Sequence, residues 1–256
     1  MKKPGLRQFV NLLAFLITVV VNGLANALPI NGVTTGEVSD SFPVYFVPAG
    51  YVFAIWGVIY LALLGFAIYQ LLPAQRENRR LERIGWWFAL GSLANGAWIF
   101  FWHYRIFPVT VILMLILLVS LLAIYLRLGI GRAQVSRAEK WLVDIPFSIY
   151  LGWITVATVA NVTDLLYHLG WNGAPLSPQV WAVIMLMIAT ALAAAMSLTR
   201  RDVAYVLVIV WAFVGIAVKQ AATPLVAWAA WALAVVALLA LGMGVLRKTS
   251  LPAANR

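Results

Sequence analysis

Long apolar runs separated by short polar connections dominate this chain. Eight of the runs are close to the roughly 20 residues that a helix needs to cross a bilayer. They lie at approximately 8–28, 50–72, 84–104, 107–128, 141–163, 178–199, 202–219 and 223–246. The pattern predicts an all-α integral membrane protein with about eight transmembrane helices, and the lipid bilayer is its first expected partner.

The composition agrees with this prediction. Apolar residues make up 64% of the 256 residues and charged residues 10%, whereas soluble domains have about 45–50% and about 25%. The formal charge of +10 does not indicate a nucleic-acid-binding protein, because the basic residues form short clusters between apolar runs. The chain has no cysteine, which excludes a disulfide framework, a thiolate metal site and a cysteine nucleophile.

The basic residues lie almost entirely on one predicted side of the membrane. Two of them, Arg105 and Lys219, fall on one side, and sixteen fall on the other. The sixteen are Lys2, Lys3, Arg7, Arg76, Arg79, Arg80, Arg83, Arg127, Arg132, Arg137, Lys140, Arg200, Arg201, Arg247, Lys248 and Arg256. Cytoplasmic connections carry the excess of Lys and Arg. We therefore expect a multi-pass protein of the cytoplasmic (inner) cell membrane with both termini in the cytoplasm.

A row of aromatic side chains lies near the start of the second run. It consists of Tyr51, Phe53, Trp56 and Tyr60, of which the last three share one helical face. Such a row indicates either the mouth of a ligand pocket or an interfacial aromatic belt. The preceding loop, 29–49, is long enough to act as a lid, although a passive linker has the same composition.

The first run carries a polar stripe that includes Asn11, Thr18, Asn22 and Asn26. A bundle helix uses such a stripe for interhelical hydrogen bonds, so we expect this segment to be retained. Its basic start, its apolar run and the small residues around 25–27 also resemble a cleavable signal peptide. Cleavage after this segment is the alternative.

The third and fifth runs place polar and aromatic residues on single faces. In the third run, Asn95, Trp98 and Trp102 are three and four residues apart. In the fifth run, one face contains Pro146, Tyr150, Trp153, Ala157, Asn161, Asp164 and His168. We expect Asp164 and His168 to form a solvated cap at the outer interface, where ionisation costs little. A ligand contact and a catalytic or metal-binding role are the alternatives.

The alternating topology brings these faces to one depth of the bilayer, beneath loop 29–49. Convergence of four helices predicts a ligand pocket at the outer ends of the first, second, third and fifth helices. The candidate ligand-binding residues are Asn22, Asn26, Tyr51, Phe53, Trp56, Tyr60, Asn95, Trp98, Trp102, Tyr150, Trp153 and Asn161.

The sequence contains no P-loop, HExxH or GxSxG motif. Its two histidines are His103 and His168. We expect His103 at the interface, and axial haem ligation is the alternative. One histidine and one carboxylate make too few ligands for a metal site. We therefore predict no catalytic residue, no metal and no required cofactor.

Asp144 is expected to be structural, with Lys140 as its partner.

Three stretches together resemble the TspO/MBR family, the tryptophan-rich sensory proteins related to the mitochondrial translocator protein. Pro48, Tyr51, Phe53, Trp56 and Tyr60 are similar to the family's P-x-x-W-x-F-x-x-W-x-x-x-Y. The sequence Asn95-Gly-Ala-Trp98 is similar to its N-x-x-W, and Pro146, Tyr150, Trp153 and Asn161 to its P-Y-x-x-W…N. The resemblance covers roughly residues 8–165.

The resemblance implies a five-helix bundle with a ligand pocket beneath the first loop, often in a homodimer. Family ligands are tetrapyrroles such as porphyrins and haem, sterols and synthetic aromatic compounds. A porphyrin or haem is therefore expected here as a ligand and not as a required cofactor. The family's sterol pattern is not carried over, because no Lys or Arg follows Tyr167 within five residues.

Three features differ from the family pattern. Tyr51 stands where a tryptophan is usual, loop 29–49 has no tryptophan, and three further helices follow the five-helix plan. We therefore divide the chain into a TspO-like five-helix bundle at 1–168 and three additional helices with a basic tail at 169–256.

Together these features predict a membrane receptor or sensor, not an enzyme, that binds a planar hydrophobic ligand, with a tetrapyrrole first among the candidates. Trp56, Trp98 and Trp153 would supply stacking area. A small-molecule transporter is the alternative, and a porphyrin-modifying membrane enzyme is the third hypothesis.

Overall fold

The computed structural model describes residues 5–28 and 30–246, and these residues form helices and no strand. The helices are α1 (Leu6–Ala27), α2 (Thr35–Asp40), α3 (Ile55–Tyr69), α4 (Arg79–Glu82), α5 (Trp87–His103), α6 (Phe107–Leu128), α7 (Arg137–Glu139), α8 (Ile145–His168), α9 (Pro178–Arg200), α10 (Val203–Lys219) and α11 (Pro224–Leu246). This architecture confirms the predicted all-α integral membrane fold. The topology prediction also used Lys2, Lys3, Arg247, Lys248 and Arg256, which lie outside the described residues.

Six spans in the described part of the chain are long and apolar enough to cross a membrane by length and composition. They contain α1, α3, α6, α8, α9 and α11. Helices α5 and α10 have 17 residues each, which corresponds to a length of about 26 Å. They lie where the sequence predicted the third and seventh runs.

Local capping explains several of these boundaries. The Ser177 side chain accepts a hydrogen bond from the Val180 backbone N–H at the start of α9, just before Pro178. The Asp202 side chain does the same for Tyr205 at the start of α10. Each cap partners a backbone N–H that the helix itself leaves without an acceptor.

Helix packing divides the fold into two connected groups. In the first, α1 packs against α3 and α5, α5 against α6, and α8 against α3 and α6. Phe66, Phe88 and Phe147 form its aromatic centre, with ring centroids 4.9–5.9 Å apart in edge-to-face pairs. In the second group α9, α10 and α11 pack against one another, and α10 joins them to α8.

The polar stripe of α1 forms hydrogen bonds between helices, as predicted. Thr18 Oγ1 donates to the Ser92 carbonyl at 3.0 Å, and Asn22 Nδ2 donates to Asn95 Oδ1 at 2.8 Å. Buried interhelical bonds of this kind tie a helix into a bundle, so α1 is an integral part of this one.

The two ends of the bundle differ in charge. The basic end comprises residues 70–86, 129–144 and 200–202, and Arg80 lies at its centre. The Arg80 guanidinium pairs with Asp144 Oδ1 at 2.6 Å and with Glu139 Oε1 at 2.9 Å. The expected pairing of Asp144 with Lys140 is therefore wrong, because Arg80 reaches the carboxylate from a different connection.

The opposite end, here termed the lid end, comprises residues 30–49 and the ends of α5, α8 and α10. Helix α10 holds this region at two backbone positions. Trp211 Nε1 donates to the Val52 carbonyl at 3.1 Å, and the Ala49 N–H donates to the Gly215 carbonyl at 3.1 Å. A substituent on Gly215 would meet Val52 and Pro48. The C-terminal helices therefore hold the end of the lid in place.

Candidate functional site

The lid is an ordered segment with a short capped helix, α2. Thr34 caps this helix, and its side chain and backbone N–H form a reciprocal capping box with Glu37. The Thr34 backbone N–H, and then its hydroxyl, donate to the carboxylate and lower the pKa of Glu37 below its ordinary value. Trp102 Nε1 ties the lid to α5 by donating to the Thr35 carbonyl at 3.1 Å.

Beneath the lid lies a narrow void of about 40 Å³, the outer aromatic cavity. Its walls come from the lid, α5, α6, α8 and the start of α3. The lining residues are Thr35, Ser39, Val47, Pro48, Phe53, Trp56, Trp98, Trp102, Met114, Trp153, Val156, Ala157, Ala160, Asn161 and Asp164. The sequence predicted a pocket here with walls from the first, second, third and fifth long helices. The first, α1, contributes no lining residue, and the fourth, α6, contributes Met114 instead.

Five aromatic side chains line the cavity. The Trp98 and Trp102 rings are stacked with centroids 5.0 Å apart. Trp153 meets Trp56 edge to face at 6.1 Å and Phe53 at 5.8 Å. These arrangements are favourable for aromatic pairs, so the rings of the wall pack well against one another.

A chain of hydrogen bonds orients part of this wall. Trp98 Nε1 donates to Asn161 Oδ1 at 3.1 Å, and Asn161 Nδ2 donates to Thr110 Oγ1 at 2.9 Å. The amide of Asn161 therefore links three helices, and it fixes the plane of the Trp98 ring.

Three buried polar atoms of the cavity wall have no hydrogen-bond partner among the described residues. They are Thr35 Oγ1, Trp153 Nε1 and Asp164 Oδ1. Native structures leave few buried polar groups unpaired, and each such group calls for an explanation. Here the three residues that carry these atoms all line one small void.

The burial of Asp164 corrects a prediction. The sequence placed Asp164 and His168 in a solvated cap, but Asp164 is only 1% exposed and lines the cavity. His168 is exposed, as expected. The lid and the neighbouring helices cover Asp164, although it lies close to the end of α8.

The position of His103 also differs from expectation. The sequence placed it at the interface, but it is fully buried, with Nδ1 2.7 Å from the Ile99 carbonyl oxygen of its own helix. Its backbone carbonyl accepts a hydrogen bond from Asn31 in the lid at 3.1 Å.

A polar network adjoins the cavity on the side of α1. Asn22 donates to Asn95, and Asn95 Nδ2 donates to the Tyr150 hydroxyl at 2.8 Å. Tyr150 contacts Trp56 edge to face at 6.1 Å, and Tyr60 stacks on Trp56 at 5.5 Å. These residues support the cavity wall from behind.

The structure brings half of the candidate ligand-binding residues to the cavity itself. The residues that line it are Phe53, Trp56, Trp98, Trp102, Trp153 and Asn161. Asn22, Tyr60, Asn95 and Tyr150 belong to the supporting network. Tyr51 instead packs on Trp211 and is 47% exposed, and Asn26 is exposed and donates to the Asn22 carbonyl of its own helix.

Sequence reasoning missed several lining residues, notably Thr35, Met114 and Asp164. The signal for Asp164 was present, because it shares the α8 face of Trp153 and Asn161. Thr35 and Met114 carried no comparable signal, since each lies in a segment without an aromatic or amide pattern.

A second and larger void, the lateral groove, has a volume of about 870 Å³ and lies between α8, α10 and the start of α3. Lys140, Arg200 and Arg201 line its basic end, and Trp211 and Val58 line its apolar part. Pockets that hold drug-sized ligands usually measure about 300–1,000 Å³.

The two voids lie on opposite sides of one segment. Phe53 and Trp56 line the outer aromatic cavity, whereas Ala54, Ile55 and Val58 line the lateral groove. In the described part of the chain, no group of three or more histidine or acidic side chains is placed to hold a metal ion.

Comparison with known proteins agrees with this architecture. A family model described as TSPO-like protein matches residues 8–243, and the match therefore includes the three C-terminal helices. No curated protein and no solved structure matches the chain. The match supports a membrane protein of a sensing or ligand-binding type in general. With nearly its whole length matched, the chain belongs to the TSPO-like protein family.

Proposed function

We propose that this protein is a membrane receptor or sensor that binds a planar, mostly apolar ligand in the outer aromatic cavity. The observation that supports this most is the meeting of four tryptophans and three unpartnered buried polar atoms at one void. Aromatic faces offer stacking area, and unpaired polar groups offer orientation. A tetrapyrrole is the first ligand class to test.

Binding of such a ligand requires the cavity to open. Its volume of about 40 Å³ is far below the roughly 300–1,000 Å³ of ordinary ligand sites. The lid is the part that must move, and one exposed contact holding it is the 2.6 Å ion pair of Lys219 and Asp40. The apparent affinity is then the intrinsic affinity reduced by the fraction of open molecules.

A titration of the detergent-purified full chain with protoporphyrin IX and with haem tests this function. Saturable quenching of tryptophan fluorescence with a Soret shift is expected. The double variant Trp56→Ala, Trp98→Ala should weaken binding by at least about tenfold.

The matched control is Trp228→Ala with Trp231→Ala. These two α11 side chains are 72% and 42% exposed and do not line the cavity. Unchanged affinity in a folded Trp56/Trp98 variant would falsify the assignment of this cavity.

A transporter is the second candidate, and the position of the two voids favours it. The segment 53–58 is the wall between the outer aromatic cavity and the lateral groove, so movement of this segment would connect the two. Ligand flux in proteoliposomes distinguishes transport from sensing.

We further propose that the basic end faces the cytoplasm, since cytoplasmic connections carry the excess of Lys and Arg. Cysteines introduced at Arg79 and at Gly36, on opposite ends of the bundle, should label from opposite sides of sealed vesicles. Labelling of both positions from one side would contradict this orientation.

A further inference from the structure

Asp164 is the one acidic side chain among the described residues that lines the outer aromatic cavity. It is 1% exposed, and its Oδ1 has no hydrogen-bond partner among the described residues. Ionisation of a carboxyl group that is buried without a protein donor at this oxygen is costly, and a cation beside it would offset that cost.

No described cation compensates this carboxylate by a direct ion pair. Lys219 acts on it electrostatically, but Lys219 Nζ bonds Asp40 Oδ1 at 2.6 Å outside the cavity. The buried carboxylates of the basic end are different. Asp144 pairs with Arg80, and Asp202 accepts from Tyr125, Ser148 and the Tyr205 N–H.

The aromatic wall around Asp164 also favours a positively charged ligand. Aromatic faces are electron-rich and attract cations, and tryptophan is the most effective ring. Trp56, Trp98, Trp102 and Trp153 all line the void that Asp164 lines. An aromatic wall with one carboxylate is complementary to an organic cation and unfavourable for an anion.

We propose that the outer aromatic cavity selects ligands that carry a protonated nitrogen, which binds the carboxylate of Asp164 while the ring system packs against the tryptophans. This inference rests on the proposed function, because it places the ligand in the same cavity. It narrows the ligand class to planar aromatic amines. It also requires any tetrapyrrole to direct its carboxylates away from Asp164, because two carboxylates in a dry site repel each other.

Three planar probes that share one ring system test the proposal. They are 9-aminoacridine, acridine and acridine-9-carboxylate, which at pH 8 are cationic, neutral and anionic. Each is titrated into the full chain in an uncharged detergent. Wild-type protein should bind the cation at least about tenfold more tightly than the neutral probe, and the anion most weakly.

The variant Asp164→Asn keeps the size of the side chain and removes its charge. It should abolish the preference for the cation, leave the neutral probe unchanged and strengthen binding of the anion. Glu82→Gln is the control, because it also removes a charge, but Glu82 is exposed, lies at the basic end and does not line the cavity. It should keep the wild-type order of affinities.

The outcomes separate this inference from the proposed function. Equal affinity for the three probes, with binding lost in the Trp56/Trp98 variant, would keep the cavity and overturn the role of Asp164. An unchanged preference in Asp164→Asn would also overturn it. Failure of all three probes to bind saturably would overturn both. If Asp164→Asn does not fold, the wild-type order of affinities alone decides.

Discussion

The two ends of the bundle differ in whether their buried carboxylates have partners. At the basic end, Arg80 neutralises Asp144 and Glu139, and Asp202 accepts three hydrogen bonds, two from hydroxyl groups of neighbouring helices. At the lid end, Asp164 is more deeply buried than either aspartate, yet its Oδ1 has no partner among the described residues.

Under the proposed function, this difference separates a structural charge from one that binds a ligand. Buried charges that stabilise a fold are paired or hydrogen-bonded, because burial of an isolated charge is unfavourable. An unpaired carboxylate persists where it serves another purpose, and ligand sites are where such groups concentrate. Substitutions at the two ends of the bundle test that distinction.

Loss of Arg80 should give the largest effect. The variant Arg80→Ala leaves two largely buried carboxylates without their cation, and removal of one partner of a buried pair costs about 3–5 kcal/mol. Chemical unfolding in detergent measures the loss. Arg79→Ala is the control, since Arg79 lies in the same short helix but is exposed. An equal loss of unfolding free energy in the two variants would show that Arg80 does not stabilise the buried carboxylates of the basic end.

The two aspartates should respond differently to the same substitution. Asp202→Asn replaces an acceptor of two hydroxyl hydrogen bonds and should lower the free energy of unfolding by about 2 kcal/mol. Asp164→Asn removes an uncompensated charge and should leave stability unchanged or raise it. Thermal unfolding of the two variants side by side measures both values, and a loss at Asp164 as large as that at Asp202 would show that Asp164 is structural.

The sequence predicted the helices well because each apolar run is itself the signal. It also predicted the aromatic face of α8, since spacings of three and four residues determine a face without any tertiary information. It failed for Asp144, where a local rule selected Lys140 and a residue 64 positions away, Arg80, is the partner. It failed for Asp164 because only the folded lid shows what covers the end of α8.

Close backbone contact at the lid end gives a third, smaller prediction. Gly215→Ala places a methyl group against Val52 and Pro48 and should destabilise the protein by about 1.5 kcal/mol through overpacking. Gly57→Ala is the control, because nothing lies within 4 Å of a substituent there. Since Pro48 lines the cavity, Gly215→Ala should also change ligand affinity. Unchanged affinity would show that the contact between α10 and the lid does not influence ligand binding.

The smallest expected effect concerns pH and the lid helix α2. The pKa of Glu37 is lowered by the Thr34 backbone N–H and hydroxyl. Its contribution to lid order is therefore present above the ordinary glutamate pKa and is lost as the pH falls through the lowered value. The protection factors of residues 34–40, which are corrected for the intrinsic pH dependence of hydrogen exchange, should fall on acidification in the wild type, and Glu37→Gln should remove this dependence. An identical pH response in both proteins would assign it to another group.

The hydrogen bonds between the lid and α10 have a consequence for biogenesis. Val52, which follows the lid closely, and Trp211 are separated by 159 residues of chain. Synthesis proceeds at about 5–20 residues per second, so α10 emerges many seconds after the lid itself. The aromatic helices and the contact of the lid with α5 can form early, but the bonds from α10 form only after the seventh long helix has been inserted. A chain stalled before α10 would therefore lack this support, and the site acquires its final form among the last events of folding.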